Sequence, residues 1–505
     1  MKYIFISILS LFSIALYAGE EDAVATQAAV WESPWRNFSN YFDYNPAATF
    51  AVPVRQFSEV GASYLASHAD KGMHLVQEGD GASALRLYSE SFQADSAYRF
   101  FGKAYFLNDT KNNVGWRDVE DYSLLSPYVV ADSIGGNYKR ESYFLSGGAS
   151  VRLRSTEWGI RGTYQGSVSY RQVDPRPRNT VSVIRINPGV TYFRGNWRYG
   201  WFGEYVRYRQ NVDIEIEKAD RKAYFYLMQG FGIYNRQFSK LDDNFSRIYK
   251  ANLYSTGFHI DKSEGEQSTG ALVALKRAIV TVDESDRRTP YRLTHSDVRA
   301  QLTHERQLLG QNLFMKAIYS FHQSVGNETQ YTPVIVNTTS VVWKYATQSD
   351  RYKDLTHNVQ FSALLADKDL SRFSVWEQVD GGWQDSRQYY YSPDYHQFVQ
   401  DAVGSATLGV NCPLKKYTVV GSLKAGYKKN LSSSLLQNEN NLISSQLIVP
   451  DYTFLKSDVA FYQLNARIRF RVSAAVWANV SAEAGLQTSK DKQAFSTDFH
   501  INLNF

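Results

Sequence analysis

The sequence predicts an all-β fold: a single transmembrane antiparallel β-barrel of about 20 strands, within a range of roughly 18 to 22 because bacterial barrels keep an even count. Three observations carry this. Alternation of apolar and polar residues recurs along most of the chain. In the best segments it lasts longer than a soluble strand needs. The composition is rich in Tyr (36), Phe (29), Trp (10) and Gly (32), while the mean hydropathy is only −0.40. Aromatic and Gly enrichment without long apolar runs suits a wall in which only alternate residues meet lipid.

The end of the chain shows the alternation plainly. Phe499, Ile501, Leu503 and Phe505 are separated by His500, Asn502 and Asn504, the two-residue period of a strand with one greasy and one wet face. Between residues 160 and 171, Ile160, Gly162, Tyr164, Gly166, Val168 and Tyr170 alternate with Arg161, Thr163, Gln165, Ser167, Ser169 and Arg171. Soluble strands average about 5–6 residues, and a tilted membrane strand needs about 9–11. Length at constant period therefore favours the bilayer.

The start of the chain reads as an export signal. Lys2 precedes an apolar run from Tyr3 to Leu16, and a cut is expected near Ala18. The run is too short to favour a spanning helix, and no other stretch approaches the ~20 apolar residues that one needs. The expected organisation is 1–18 signal peptide, 19–56 N-terminal lead-in and 57–505 barrel. The lead-in is acidic, then alanine-rich, then dense in aromatics and turn formers. It is expected either to pack on or in the barrel or to form a periplasmic turn. Cys412 is the lone cysteine, so no internal disulfide forms and no lipid anchor follows the signal. A formal net charge of +5 over 505 residues gives no reason to expect nucleic acid.

Candidate strands follow at 57–68, 70–79, 82–93, 97–107, 160–171, 180–194, 197–210, 224–236, 247–260, 269–283, 296–308 and 312–324. Further ones lie at 338–347, 355–366, 371–383, 387–399, 402–412, 416–430, 457–472, 474–487 and 496–505. Residues 109–139 read as a long loop, and 432–451 as a longer insert. Barrels carry short turns on one side and long loops on the other.

Where the period is clean, the faces can be assigned. Leu464, Ala466, Ile468, Phe470 and Val472 alternate with Asn465, Arg467, Arg469 and Arg471. An Arg or Lys on the lipid face costs about 2–4 kcal/mol at mid-bilayer, so the arginines face the lumen. The same logic turns Arg152, Arg154, Arg161, Arg171, Lys424 and Lys428 inward, and puts Val151, Leu153, Val419 and Leu423 toward lipid. Trp158, Tyr170, Trp197 and Tyr427 suit the aromatic girdles. The inward cations either favour anionic solutes or pair with lumenal acids, for which Glu305, Glu483 and Asp498 are available. Tyr389, Tyr390, Tyr391 and Tyr395 form the densest aromatic run, and are expected either as loop contacts to a ligand or as girdle residues.

No HExxH, GxSxG, GxxxxGKS or metal-spaced carboxylate cluster is present. No catalytic site, metal or cofactor is expected, and the chain is not expected to be an enzyme.

The closing alternation ending on Phe505 resembles the terminal strand of bacterial outer-membrane barrels, which the barrel-assembly machinery reads. Asn45-Pro-Ala47 resembles the lead-in of fatty-acid-channel-like barrels. The whole pattern resembles large barrels of Bacteroidota, in particular a family of unknown function whose members sit beside TonB-dependent uptake genes. The chain departs from TonB-dependent receptors, whose plug exceeds the 38 residues between Gly19 and the first expected strand. The resemblance implies an outer-membrane location, lipid as solvent, and a TonB-dependent receptor or surface lipoprotein as partner. It implies a channel or accessory component for solute uptake; a non-transporting scaffold of a surface complex is the alternative.

Overall fold

The computed structural model describes residues 23–505, apart from 39–40, 50–51, 53, 218–223, 239–244, 285–287, 309, 338–339, 415–416, 439–440 and 474–475. The signal peptide expected at 1–18 lies outside the described residues. The strands in chain order are β1 (Gln56–Ala69), β2 (Gly81–Ala94), β3 (Tyr98–Val114), β4 (Val130–Asp132), β5 (Gly136–Leu153), β6 (Thr156–Arg171) and β7 (Arg176–Arg194). There follow β8 (Trp197–Glu215), β9 (Phe225–Gly230), β10 (Ile233–Phe238), β11 (Phe245–Glu264), β12 (Gln267–Glu284), β13 (Tyr291–Leu308) and β14 (Gln311–Asn337). The last are β15 (Ser340–Ala366), β16 (Ser374–Tyr390), β17 (Tyr395–Pro413), β18 (Tyr417–Leu436), β19 (Val459–Ser473), β20 (Val476–Ser489) and β21 (Lys492–Asn504). Three short helices are α1 (Ala23–Trp31), α2 (Tyr122–Leu125) and α3 (Val449–Leu455).

Eighteen of these strands form one antiparallel sheet among the described residues. It closes because β1 pairs with β2 on one side and with β21 on the other. Closure leaves no unpaired edge inside the wall, which is the condition for strands to stand in hydrocarbon. The remaining three, β4, β9 and β10, form a separate small sheet.

The outer wall is apolar at alternate positions. Trp158, Ile160 and Tyr164 are exposed on β6, Leu464, Ile468 and Val472 on β19, and Phe499, Ile501 and Leu503 on β21. Phe505 donates its N–H to the Ser58 carbonyl (3.1 Å), so the chain end is stitched to the start of β1. Val151, Leu153, Val419 and Leu423 hold positions in phase with the exposed residues of their strands.

The two mouths differ. The turn residues 154–155, 195–196 and 265–266 lie at the end where β1 begins and β21 stops. Gly195 takes φ 57°, a conformation that a Cβ disfavours, which permits so tight a turn. The opposite end carries the longer connections, including 70–80, 115–135 and 437–458, and the hairpin of β9 and β10.

The differences from the sequence reading have local causes. Residues 70–79 form a turn, not a strand, with Gly72 and Gly79 at positive φ. Residues 224–236 leave the barrel for the small sheet. Phe225, Tyr226, Leu227 and Met228 are all buried in succession, a pattern covered on both faces rather than alternating. Of the expected 338–347 strand, 338–339 lie outside the described residues, and 340–347 belong with 355–366 to one strand, β15, paired with an equally long β14 through three register shifts. The 387–399 segment is split by a turn after Tyr390, and 402–412 continues β17. The 109–139 loop is shorter, at 115–135. Arg154 stands in a turn at φ 54°, not on a strand.

Candidate functional site: a chamber in the lumen

The lead-in closes the short-turn mouth from within. Trp31 stacks on Phe57 (centroids 4.7 Å), Phe42 meets Phe101 edge-on (4.7 Å), and Trp35 and Phe38 lie on Phe314. Polar groups then fix the register. Glu32 bonds both Arg467 and Arg469. Arg161 donates to the carbonyls of Phe42 (2.8 Å) and Asp43 (3.0 Å). Thr49 and Ser150 both donate to Glu157. Arg469 and Glu157 are buried, and a buried ion without such partners would cost several kcal/mol.

Asn45-Pro-Ala47 is the tightest point of this seal. Ala47 N–H donates to Asn45 Oδ1 (2.9 Å), which leaves Asn45 Nδ2 to donate to the Val190 carbonyl (3.2 Å), Thr191 Oγ1 (3.3 Å) and His259 Nε2 (3.0 Å). The wall makes room with glycines. A Cβ on Gly189 would lie 2.0 Å from Asn45 Oδ1, and one on Gly159 would lie 2.5 Å from the Pro46 carbonyl.

The long-loop mouth is closed by a cap. Residues 116–131, β9 and the 443–447 segment bury Trp116, Tyr128, Phe225, Met228, Ile443 and Leu447 against lumenal Val206, Tyr249 and Leu293. Arg171 anchors it, with Asp132 at 2.5 Å and Asp118 at 3.5 Å. Burial, and then the like charge of the neighbouring Asp132, pushes the Asp118 carboxyl well above the usual range, with Arg171 opposing the shift. His295 Nε2 lies 3.0 Å from the Leu124 carbonyl; a carbonyl only accepts, so this nitrogen carries the proton. α3 closes over the Val76–Glu78 turn, where Val76 N–H donates to Asp451 Oδ1 (2.8 Å). Burial pushes the Asp451 carboxyl up to about 7, opposed by hydrogen bonds from Val76 and Gln77.

Between seal and cap lie cavities of about 480, 260 and 430 Å³. The first two share Asp43, Arg185, Asn187 and Glu204, and the first and third share Asn358. Paired charges line them. Arg185 faces Glu204 (3.3 Å), His322 faces Asp297 (2.6 Å), and Lys424 faces Asp380 (3.4 Å).

The residues singled out from sequence therefore take different duties. Arg161, Arg467 and Arg469 hold the seal, and Arg171 holds the cap. Lys428 donates to the Leu455 carbonyl (2.7 Å) at the end of α3 and faces Asp401 (3.7 Å). Arg471 is exposed at the short-turn rim, donating to the Ser473 carbonyl. Tyr390 is buried, donating to Glu328 (3.1 Å), and Tyr395 lies against Phe231 in the cap. Tyr391 is exposed, and Tyr389 stacks on it. Of the acids offered as partners, Glu305 binds Lys368, Glu483 accepts from Asn465, and Asp498 faces His500. The arginines take their acids from the lead-in and loops instead. Nothing in the two-residue period distinguishes His259, His295, His322 or the seal glycines from their neighbours. Among the described residues, no group of three or more His, Cys, Asp or Glu is placed to hold a metal.

Among solved structures, the ferric citrate transporter FecA in its unliganded form matches at 10% identity over 89% of this chain and 78% of that one, with a TM-score of 0.39. The ferric preacinetobactin receptor BauA from Acinetobacter baumannii matches at 8% identity over 89% and 80%, with a TM-score of 0.38. Comparison with curated proteins gives no match. The sequence profile described as "Family of unknown function (DUF6850)" matches residues 46–505, and the chain belongs to that family.

Proposed function

We propose that this chain is an outer-membrane β-barrel that admits a solute through a gated lumen, as a channel or an accessory component of uptake. One observation carries the reading: a chamber lined by charged and amide side chains is held between two separate closures inside a ring with an apolar outer wall. A barrel serving only as an anchor has no need of such an interior. In this reading the short-turn mouth faces the periplasm and the long-loop mouth the exterior. The chain is exported by a cleaved signal, and the barrel-assembly machinery reads Phe499, Ile501, Leu503 and Phe505. The proposal extends to a Bacteroidota source and to a TonB-dependent receptor or surface lipoprotein as partner. No catalytic step is assigned.

The second reading is a non-transporting scaffold. It is favoured by the burial of Trp31, Trp35, Phe38, Phe42 and Asn45 in the inner mouth, which leaves no standing pore. Uptake of a small labelled sugar or dicarboxylate into proteoliposomes separates the two. The gated reading expects slow uptake with the full chain and faster uptake when the cap segment 441–456 is replaced by a short turn. Equal, background-level uptake in both supports the scaffold.

A further inference from the structure

The cavity of about 480 Å³ contains two neighbouring cations, Lys276 across the strand pair from Asp297 and Arg299 in no ion pair among the described residues. β12 and β13 pair with Lys276 opposite Asp297 and Ala274 opposite Arg299. Lys276 and Arg299 are thus diagonal neighbours on the lumenal face, at the ~7–8 Å separation typical of such pairs. Both line the same cavity of about 480 Å³, a volume within the range of small-molecule sites.

The other charges on that cavity are largely accounted for. Glu204 is held by Arg185 and Asp297 by His322. Arg299 has no carboxylate within ion-pair distance among the described residues; its guanidinium lies 5.9 Å over the Tyr44 ring, and its buried Nε has no hydrogen-bond partner. Lys276 is exposed to the cavity. The remaining acid on the lining is Asp43. Arg185, Lys276 and Arg299 balance Asp43, Glu204 and Asp297 in number, so the cavity gains a net positive charge when His322 is protonated. A buried N–H without an acceptor is costly, and a guanidinium fork matches the two oxygens of a carboxylate or phosphate. The hydroxyl and amide of Ser320 and Asn358 line the same space and can complete the coordination.

We propose that Lys276 and Arg299 form a binding site for a small anion, a carboxylate or phosphate compound, within the lumen. This rests on the reading of the chamber as a solute compartment and names the class of solute. Asp43 opposes the charge and sets the site's selectivity against more weakly charged compounds.

The test is calorimetric titration of the full chain in neutral detergent at low salt. The probes are succinate, inorganic phosphate and, as a zwitterion, alanine. Each is run on the unaltered chain and on Asn45→Ala, whose loosened seal removes slow entry as an explanation for silence. The expected result is binding of succinate or phosphate, weakened tenfold or more by Arg299→Gln and severalfold by Lys276→Gln, and tightened by Asp43→Asn. Which of the two anions binds more tightly identifies the headgroup. Lys344→Gln, remote from the chamber, changes nothing. Arg299→Lys retains partial binding, and stands in if the Gln variant fails to fold as judged by heat-modifiable gel mobility. No heat from either anion in both backgrounds overturns the proposal. So does unchanged affinity in the Arg299 and Lys276 variants, or alanine binding that Asp43→Asn weakens. Anion binding without liposome uptake would count against the gated lumen and leave the site standing; uptake without anion binding would do the reverse.

Discussion

Asn45 Nδ2 sits 3.0 Å from His259 Nε2, both side chains fully buried. The Ala47 N–H fixes the amide orientation, so the imidazole must accept at Nε2 and carry its proton on Nδ1, toward Asp261 (3.5 Å). One asparagine thus joins the lead-in to two strands of the wall. Asn45→Ala removes its bonds to Val190, Thr191 and His259 and leaves buried groups unpaired, at a cost of about 1–3 kcal/mol to the seal. Amide exchange at Ala47 and Ala48 is expected to accelerate, about tenfold for each 1.4 kcal/mol. Gly189→Val is expected to do at least as much, because its Cβ would overlap Asn45. Exchange unchanged in both variants would show that this contact does not hold the seal.

The cap depends on Arg171 in a comparable way. Arg171→Ala leaves Asp118 and Asp132 buried without their cation, and breaking a buried pair in this manner costs about 3–5 kcal/mol. Limited proteolysis is expected to cut within 116–132, while the barrel keeps its heat-modifiable gel mobility. Loss of the barrel itself would mean that the cap is not a separable unit.

Asp451 makes the outer closure sensitive to pH. Its folded value of about 7 lies above the ordinary 3.8, so between those limits the closed state holds more protons than the open one. Its contribution is full below about pH 4, declines as pH rises, and is gone above about 7. Exchange at Val76, corrected for the intrinsic pH dependence, is expected to accelerate from pH 5 to 8.5. In Asp451→Asn the corrected rate is expected to stay flat, since the amide oxygen can still accept from Val76 and bears no charge. A flat profile in the unaltered chain would remove the switch.

β14 and β15 extend past their neighbours. β13 ends its pairing at Glu328 and β16 at Tyr352, so 329–337 and 340–351 form a two-stranded ribbon beyond the wall. Ile335 is 77% and Tyr345 63% exposed on it. Its contacts with the 288–289 segment include Arg288 over the Trp343 ring (4.0 Å) and Tyr331 donating to the Thr289 carbonyl (3.2 Å), and a hairpin so lightly held adds little stability. Replacing 331–347 with a two-residue turn is expected to leave folding yield and gel mobility unchanged; a drop in yield would assign the ribbon a part in assembly.

The wall was legible because lipid imposes a rule on every second residue. Ile160 to Tyr170 and Leu464 to Val472 show it without reference to any partner. The cap was not, since Phe225 to Met228 is apolar on both faces, and a short apolar run does not reveal whether it joins the wall or fills it. The seal was less legible still. Glu32 meets Arg467 and Arg469 across more than 430 residues, and no local period encodes that meeting. Periodicity placed these arginines in the lumen, but their partners come from the lead-in. β15 reads as two segments because its extra residues Arg351 and Ala346, opposite Gly326/Asn327 and Gln330/Tyr331 of β14, reset the phase.

Single-channel recording in planar bilayers addresses the occluded lumen most directly. The full chain is expected to insert without a standing conductance. A double variant that unseats the lead-in, Glu32→Ala with Asn45→Ala, is expected to show stable ohmic steps. Steady conductance from the unaltered chain, or silence from a correctly folded double variant, would contradict a lumen closed by the described residues of the lead-in.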